Sequence, residues 1–157
     1  MTSVIKIILN KERIPHVDID FMNNTHFEEI DMVQELGELI TEYQQNETSK
    51  ENEANKITPL LGNWLQHTLA HFDRENSLML ETNFPMYPVH SGEHDNALAE
   101  MTRIVTTWEL DKDIGMLADY VFNVWPEWFN NHVNSMDMIT AQFAVMNGFD
   151  PHSLPSK

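Results

Sequence analysis

The sequence contains no cysteine, which excludes disulfides, thiolate zinc sites, iron–sulfur clusters and thiol nucleophiles together. Basic residues are scarce too: 9 Lys and Arg stand against 25 Asp and Glu, for a formal net charge of −16. Binding a polyanion requires Lys and Arg to neutralise phosphates, so the composition argues against nucleic acid and against an anionic membrane surface. Glycine occurs only 5 times, and apolar/polar alternation is confined to Val4–Leu9 and Val17–Phe21. No run approaches the ~18 uninterrupted apolar residues of a membrane span. Val4–Leu9, broken by Lys6, is too short for a signal segment, and the expectation is a soluble, cytoplasmic protein. What is present is 157 residues, 41% of them hydrophobic, enough for one domain with a sizeable core. Eight His and 10 Met complete the unusual composition.

Helical spacing dominates the chain. A first helix is predicted from about Asn24 to Gln45, on the stripe His26, Ile30, Val33, Gly37 and Ile40. Thr25 and Glu28 have the spacing of a capping box, and a start nearer Phe21 is the alternative. Residues 46–56 hold no apolar side chain but Ala54 and read as a solvated loop. Thr58-Pro59 predicts an N-cap and first helical position, opening a second helix to about Thr82 that carries Trp64, Thr68, His71, Glu75 and Leu78. A third helix is expected from about Pro88 to Leu110, and a fourth from about Asp113 to Met146, kinked or interrupted at Pro126. The predicted fold is therefore all-α: an up-down-up-down four-helix bundle over residues 23–146, with an extended N-terminal arm (1–22) and a tail (147–157), in a single domain spanning 1–157.

Positions i and i+4 of an α-helix lie ~40° apart on one face. His71-x3-Glu75 and His90-x3-His94 are thus natural two-ligand grips. His132-x4-Asp137 is offset by ~140° in an α-helix, which leaves Asp137 to reach sideways to a second ion. His26 completes the set from the first helix. All seven fall on or beside an apolar stripe, and burying His, Glu and Asp in a bundle costs several kcal/mol unless they are paired or coordinated. Five imidazoles and two carboxylates without a thiolate favour a borderline metal such as iron over magnesium or calcium. Seven ligands exceed what one ion accepts, which suggests two metals bridged by Glu75 and Asp137. His67 stands in the same row, four residues before His71, and spacing alone leaves open whether it replaces or supplements His71.

Taken in order, His, His-x3-Glu, His-x3-His and His-x4-Asp resemble the hemerythrin-like (HHE cation-binding) family, of the bacteriohemerythrin type. The surrounding words HFDRENSLM, FP-x-YP-x-H-x3-H and W-F-x-x-H extend the resemblance from about Met22 to Phe143. It selects His71 over His67, for which an outer hydrogen-bonding or helix-surface role remains. It implies two non-haem iron ions (Fe2+/Fe3+) with a bridging oxo or hydroxo group. One iron would be held by His90, His94 and His132, the other by His26 and His71, with Glu75 and Asp137 bridging. Trp128 and Phe129 would wall the oxygen pocket above the open position of the second iron.

The implied function is reversible binding of dioxygen or another small diatomic ligand, for storage, delivery or sensing, by a protein that is not an enzyme. The alternatives are a di-iron oxidoreductase acting on peroxide or nitric oxide, and iron storage or metal handling. Oligomeric state is not legible in the sequence. His16 and His152 lie in the arm and tail and read as surface residues. The methionines read as core filler, the acidic surplus as a solvated face, and Trp64, Trp108 and Trp125 as core anchors.

Overall fold

Helix α1 (Asp20–Gln45) begins ahead of the Thr25–Glu28 capping box. Thr25 does not cap: its hydroxyl donates to the Phe21 carbonyl one turn back. The start is fixed instead by the chain on either side of it. The Asn23 side chain bonds both backbone groups of Val17 at 2.8 Å, and the Asp20 N–H donates to the Pro151 carbonyl at 2.8 Å, so arm and tail meet at the head of α1. The computed structural model describes residues 7–46 and 48–156. Val4, Ile5 and Lys6 of the Val4–Leu9 alternation therefore lie outside the described residues. Ile14, Val17 and Ile19 of the arm enter the core. No strand occurs among the described residues, including Val17–Phe21.

Helix α2 (Lys50–Glu81) starts well before Thr58-Pro59, and Pro59 lies inside it. The predicted solvated loop gives way to helix from Lys50, and ahead of it the Asn46 side chain accepts from the Thr48 and Ser49 N–H groups in place of a helix cap. The extension is held by burial of Glu53, Ala54 and Ile57, which continue the inward face of Leu61 and Trp64 at helical spacing. Thr58 serves tertiary packing: its hydroxyl accepts from the Trp108 indole N–H at 3.0 Å.

Helix α3 (Tyr87–Asp111) has Pro88 in its first turn and ends at Lys112 in the left-handed conformation. The fourth rod, residues 114–146, is capped by the Asp113 side chain accepting from Met116 N–H. It is continuous but not uniformly α-helical. Wide π-helical turns occupy Tyr120–Val124 and Val133–Asp137. The first precedes Pro126, which has no N–H to continue the α-helical ladder; there the Trp125 N–H reaches five residues back to the Tyr120 carbonyl. The interruption expected at Pro126 thus takes the form of a widened turn. Gly148, at φ +94°, ends the rod.

The four rods form an up-and-down four-helix bundle in which α1 packs on α2, α2 on α3, and the fourth rod against all three. Trp64 and Trp108 are fully buried, each contributing roughly 1.5–3 kcal/mol or more by removal of apolar surface from water. Among the described residues no helix is long and apolar enough to cross a membrane.

Pro59 is exposed and deprives the Asn55 carbonyl of its helical donor. Replacing it, Pro59→Ala, is expected to stabilise the protein by ~1–3 kcal/mol, read as a higher urea midpoint. A neutral or destabilising result would mean the helix starts at Pro59.

Candidate metal centre

Each rod delivers part of one buried cluster at mid-bundle. α1 supplies His26, α2 His71 and Glu75, α3 His90 and His94, and the fourth rod His132 and Asp137; none is more than 2% exposed. One turn of α2 sets the His71 Nε2 2.7 Å from Glu75 Oε2. The fourth rod reaches the same result differently. Its π turn Val133–Asp137 closes over five residues where an α turn closes over four. His132 and Asp137 consequently share a face, 3.1 Å apart, which corrects the ~140° offset expected of an α-helix.

Ligand atoms of Glu75, His90, His94, His132 and Asp137 all lie within 4.8 Å of one another, and so do those of His26, His71, Glu75 and Asp137. The carboxylates belong to both groups and divide their oxygens between them. Glu75 Oε1 faces His94 at 3.1 Å and His90 at 3.5 Å, whereas its Oε2 faces His71 at 2.7 Å and His26 at 3.8 Å. Asp137 Oδ1 lies 3.1 Å from both His90 and His132, and Oδ2 lies 2.9 Å from His26. Four imidazoles are held from behind at Nδ1: His71 by Glu29, His90 by Thr140, His94 by Asn76 and His132 by Glu93. Such contacts leave Nε2 as the ligand atom and fix the ring.

This donor set fits metal ions. Glu75 Oε1, Asp137 Oδ1 and His94 Nε2 are buried with no hydrogen-bond partner among the described residues, and all three belong to the group of ligand atoms around the three histidines. Unpaired buried acceptors are costly, and a cation between them removes the deficit.

Aromatic rings surround the cluster. Phe72 stacks on His94 (4.0 Å, 6°) and Trp128 on His132 (4.6 Å, 15°), while Phe129 meets His26 edge-on at 5.6 Å. A small void of about 10 Å³, close to the space one water occupies, lies against His71. Phe72, Met101, Trp128 and Phe129 form its apolar wall, and Glu29 and Thr68 its polar side. His67 lies outside both groups, against Glu29 and Glu28. His16 packs on Phe27, and the exposed His152 pairs with Asp20. Sequence reading missed Glu29 and Phe72. Glu29 is one turn after His26 on the inward side of α1, a position where a charged residue is itself a signal.

Electrostatics bind the cluster together. Burial, the largest influence on His71, lowers its pKa, but Glu75 and Glu29 outweigh it and hold the imidazole up at about 10. His90 is likewise lowered by burial but held at about 9 by Asp137 and Glu75. Burial prevails at His94, which is pushed down despite Glu75. Glu75 is held well below the ordinary carboxylate range: burial raises it, and His71, His26 and His90 overcome that.

The arrangement defines a class: a four-helix bundle enclosing a histidine–carboxylate cluster able to hold metal. Residues 17–144 match the family described as Hemerythrin HHE cation binding domain, and the chain belongs to that family. It is 25% identical over 136 residues to a bacteriohemerythrin of Aquifex aeolicus, covering 87% of this chain and 97% of that protein. It is 33% identical over 105 residues to a bacteriohemerythrin of Ralstonia nicotianae, covering 67% of this chain and 74% of that one. No solved structure matches.

A cation must displace protons from His71 and His90. Their folded pKa values lie above the ordinary 6.5, so their stabilisation of the metal-free protein is complete below 6.5 and lost as pH rises through about 9 to 10. The melting-temperature gain from added metal over chelator-treated protein should therefore grow with pH across that window. Melts at several pH values check this; a gain that shrinks with pH would contradict it.

Proposed function

We propose that the chain is a non-haem di-iron protein that binds dioxygen reversibly. The observation that carries this reading is the division of the carboxylate oxygens: Glu75 and Asp137 each turn one oxygen to the three-histidine group and one to the two-histidine group. His90, His94 and His132 would hold one iron, His26 and His71 the other, with Glu75 and Asp137 bridging. When bound, the iron pair supplies the reducing electrons that dioxygen binding needs.

The remaining work falls to the chain's own residues. Two histidines against three leave the His26/His71 position with fewer protein ligands, and the void lies on that side, against His71. At about 10 Å³ the void has room for nothing larger than a very small ligand. Phe129, 2% exposed, keeps water from His26 by an edge-on contact, and Phe72 keeps it from the ring face of His94. Trp128 shields His132 and also lines the void.

Protein loaded anaerobically with ferrous iron should contain two irons per chain, change colour on exposure to air, and return to its first spectrum when oxygen is removed. Phe129→Leu should shorten the life of the coloured form several-fold by admitting water. Elemental analysis and stopped-flow deoxygenation provide the measurements. One zinc per chain would overturn the metal assignment. Irreversible oxidation with sustained peroxide or nitric oxide consumption would move the assignment to a di-iron oxidoreductase.

A further inference from the structure

Glu29 is 1% exposed, and both of its oxygens are occupied by one neighbouring helix. Its Oε2 accepts from the Trp64 indole N–H at 2.7 Å. Its Oε1 lies 3.0 Å from His67 Nδ1, 3.0 Å from the Thr68 hydroxyl and 3.3 Å from His71 Nδ1. These partners occupy two successive turns of the inward face of α2, so a single α1 carboxylate gathers them all. The two histidine groups are supported unequally. Every imidazole of the three-histidine group has an Nδ1 partner. In the two-histidine group, among the described residues, His26 Nδ1 has none, and His71 Nδ1 is held by Glu29.

We infer that Glu29 is a positioning residue for the two-histidine position: by accepting from His71 Nδ1 it fixes the tautomer and aim of that ligand, and so decides whether the second metal site fills. This rests on the two-metal reading above. An outer partner of this kind sets the orientation and basicity of a ligating imidazole, and its loss typically costs ~10–100-fold in metal affinity. Because no described residue supports the neighbouring His26 ring at Nδ1, the loss is not shared with a second anchored histidine. The three-histidine position, anchored through Thr140, Asn76 and Glu93, does not depend on Glu29.

Cobalt(II) titrated into metal-free protein against a competing chelator tests this without any oxygen chemistry, the visible absorbance of the bound ion reporting each step. Wild type should bind two ions. Glu29→Gln, which keeps shape and removes the charge, should weaken one step by ~10–100-fold and leave the other unchanged. Thr140→Val removes the Nδ1 partner of His90 in the three-histidine group and should weaken the other step instead. Equal weakening of both steps in Glu29→Gln, or no weakening, would overturn the inference. Weakening of the same step by Glu29→Gln and Thr140→Val would also overturn it, reducing Glu29 to a tie between helices. If Glu29→Gln fails to fold, by far-UV circular dichroism of the metal-free protein, Glu29→Asp decides: a shortened reach should reproduce the selective loss, and wild-type affinity at both steps would overturn the inference. Wild type binding fewer than two ions would instead defeat the two-metal reading, and this inference with it.

Discussion

Glu75 and Asp137 are completely buried and held in the ionised form, and the rest of the molecule is arranged around that fact. Two anions in a bundle interior cost several kcal/mol each unless positive charge stands beside them. The imidazoles can meet that need in either of two ways: His26, His71, His90 and His132, all held above their ordinary pKa, by carrying protons, or all five by holding cations. The same Nε2 lone pairs serve both purposes, so protons and metal exclude one another at the cluster. Fold stability and metal occupancy are thereby linked through the same atoms.

The rings outside the cluster protect this arrangement. Phe72 and Trp128 lie nearly parallel to His94 and His132, which blocks rotation of those imidazoles and keeps solvent from their faces. Together with their Nδ1 contacts, His94 and His132 are each constrained in two directions. The two-histidine group has a looser surround and borders the void. The asymmetry between a well-anchored group and one that borders a void is a property of the chain before any metal binds.

His26, His71, Glu75, His90, His94 and His132 stood out because each falls at helical spacing on or beside an apolar stripe, where a polar side chain needs a reason, whereas Asp137 is off that spacing and joins them only through the π turn Val133–Asp137. The bundle was legible for the same reason. What escaped sequence reading escaped for physical causes. Helix α2 runs back to Lys50 on the burial of only Glu53, Ala54 and Ile57, too thin a stripe to stand out among Asn, Glu and Lys. Thr58-Pro59 has the composition of a helix start, yet Thr58 is occupied with Trp108. Thr25 and Glu28 have capping-box spacing, but the helix is already under way, pinned by Asn23 and Pro151. Glu29 was passed over because its partners lie on another helix, and long-range hydrogen bonds leave no local pattern.

The widened turn at Val133–Asp137 has a consequence for how this protein tolerates changes in length. It spends five residues on a rotation that an α turn completes with four, so it carries one spare residue. Loss of a solvent-facing residue there, such as Ser135, would tighten the turn to an ordinary one and leave the phase of Thr140, Ala141 and Ala144 undisturbed. The same deletion between His90 and His94 would turn one ligand away from the other by ~100°. Of the histidine-bearing rods, the fourth alone holds its ligands across a segment whose residue count can vary while its geometry does not.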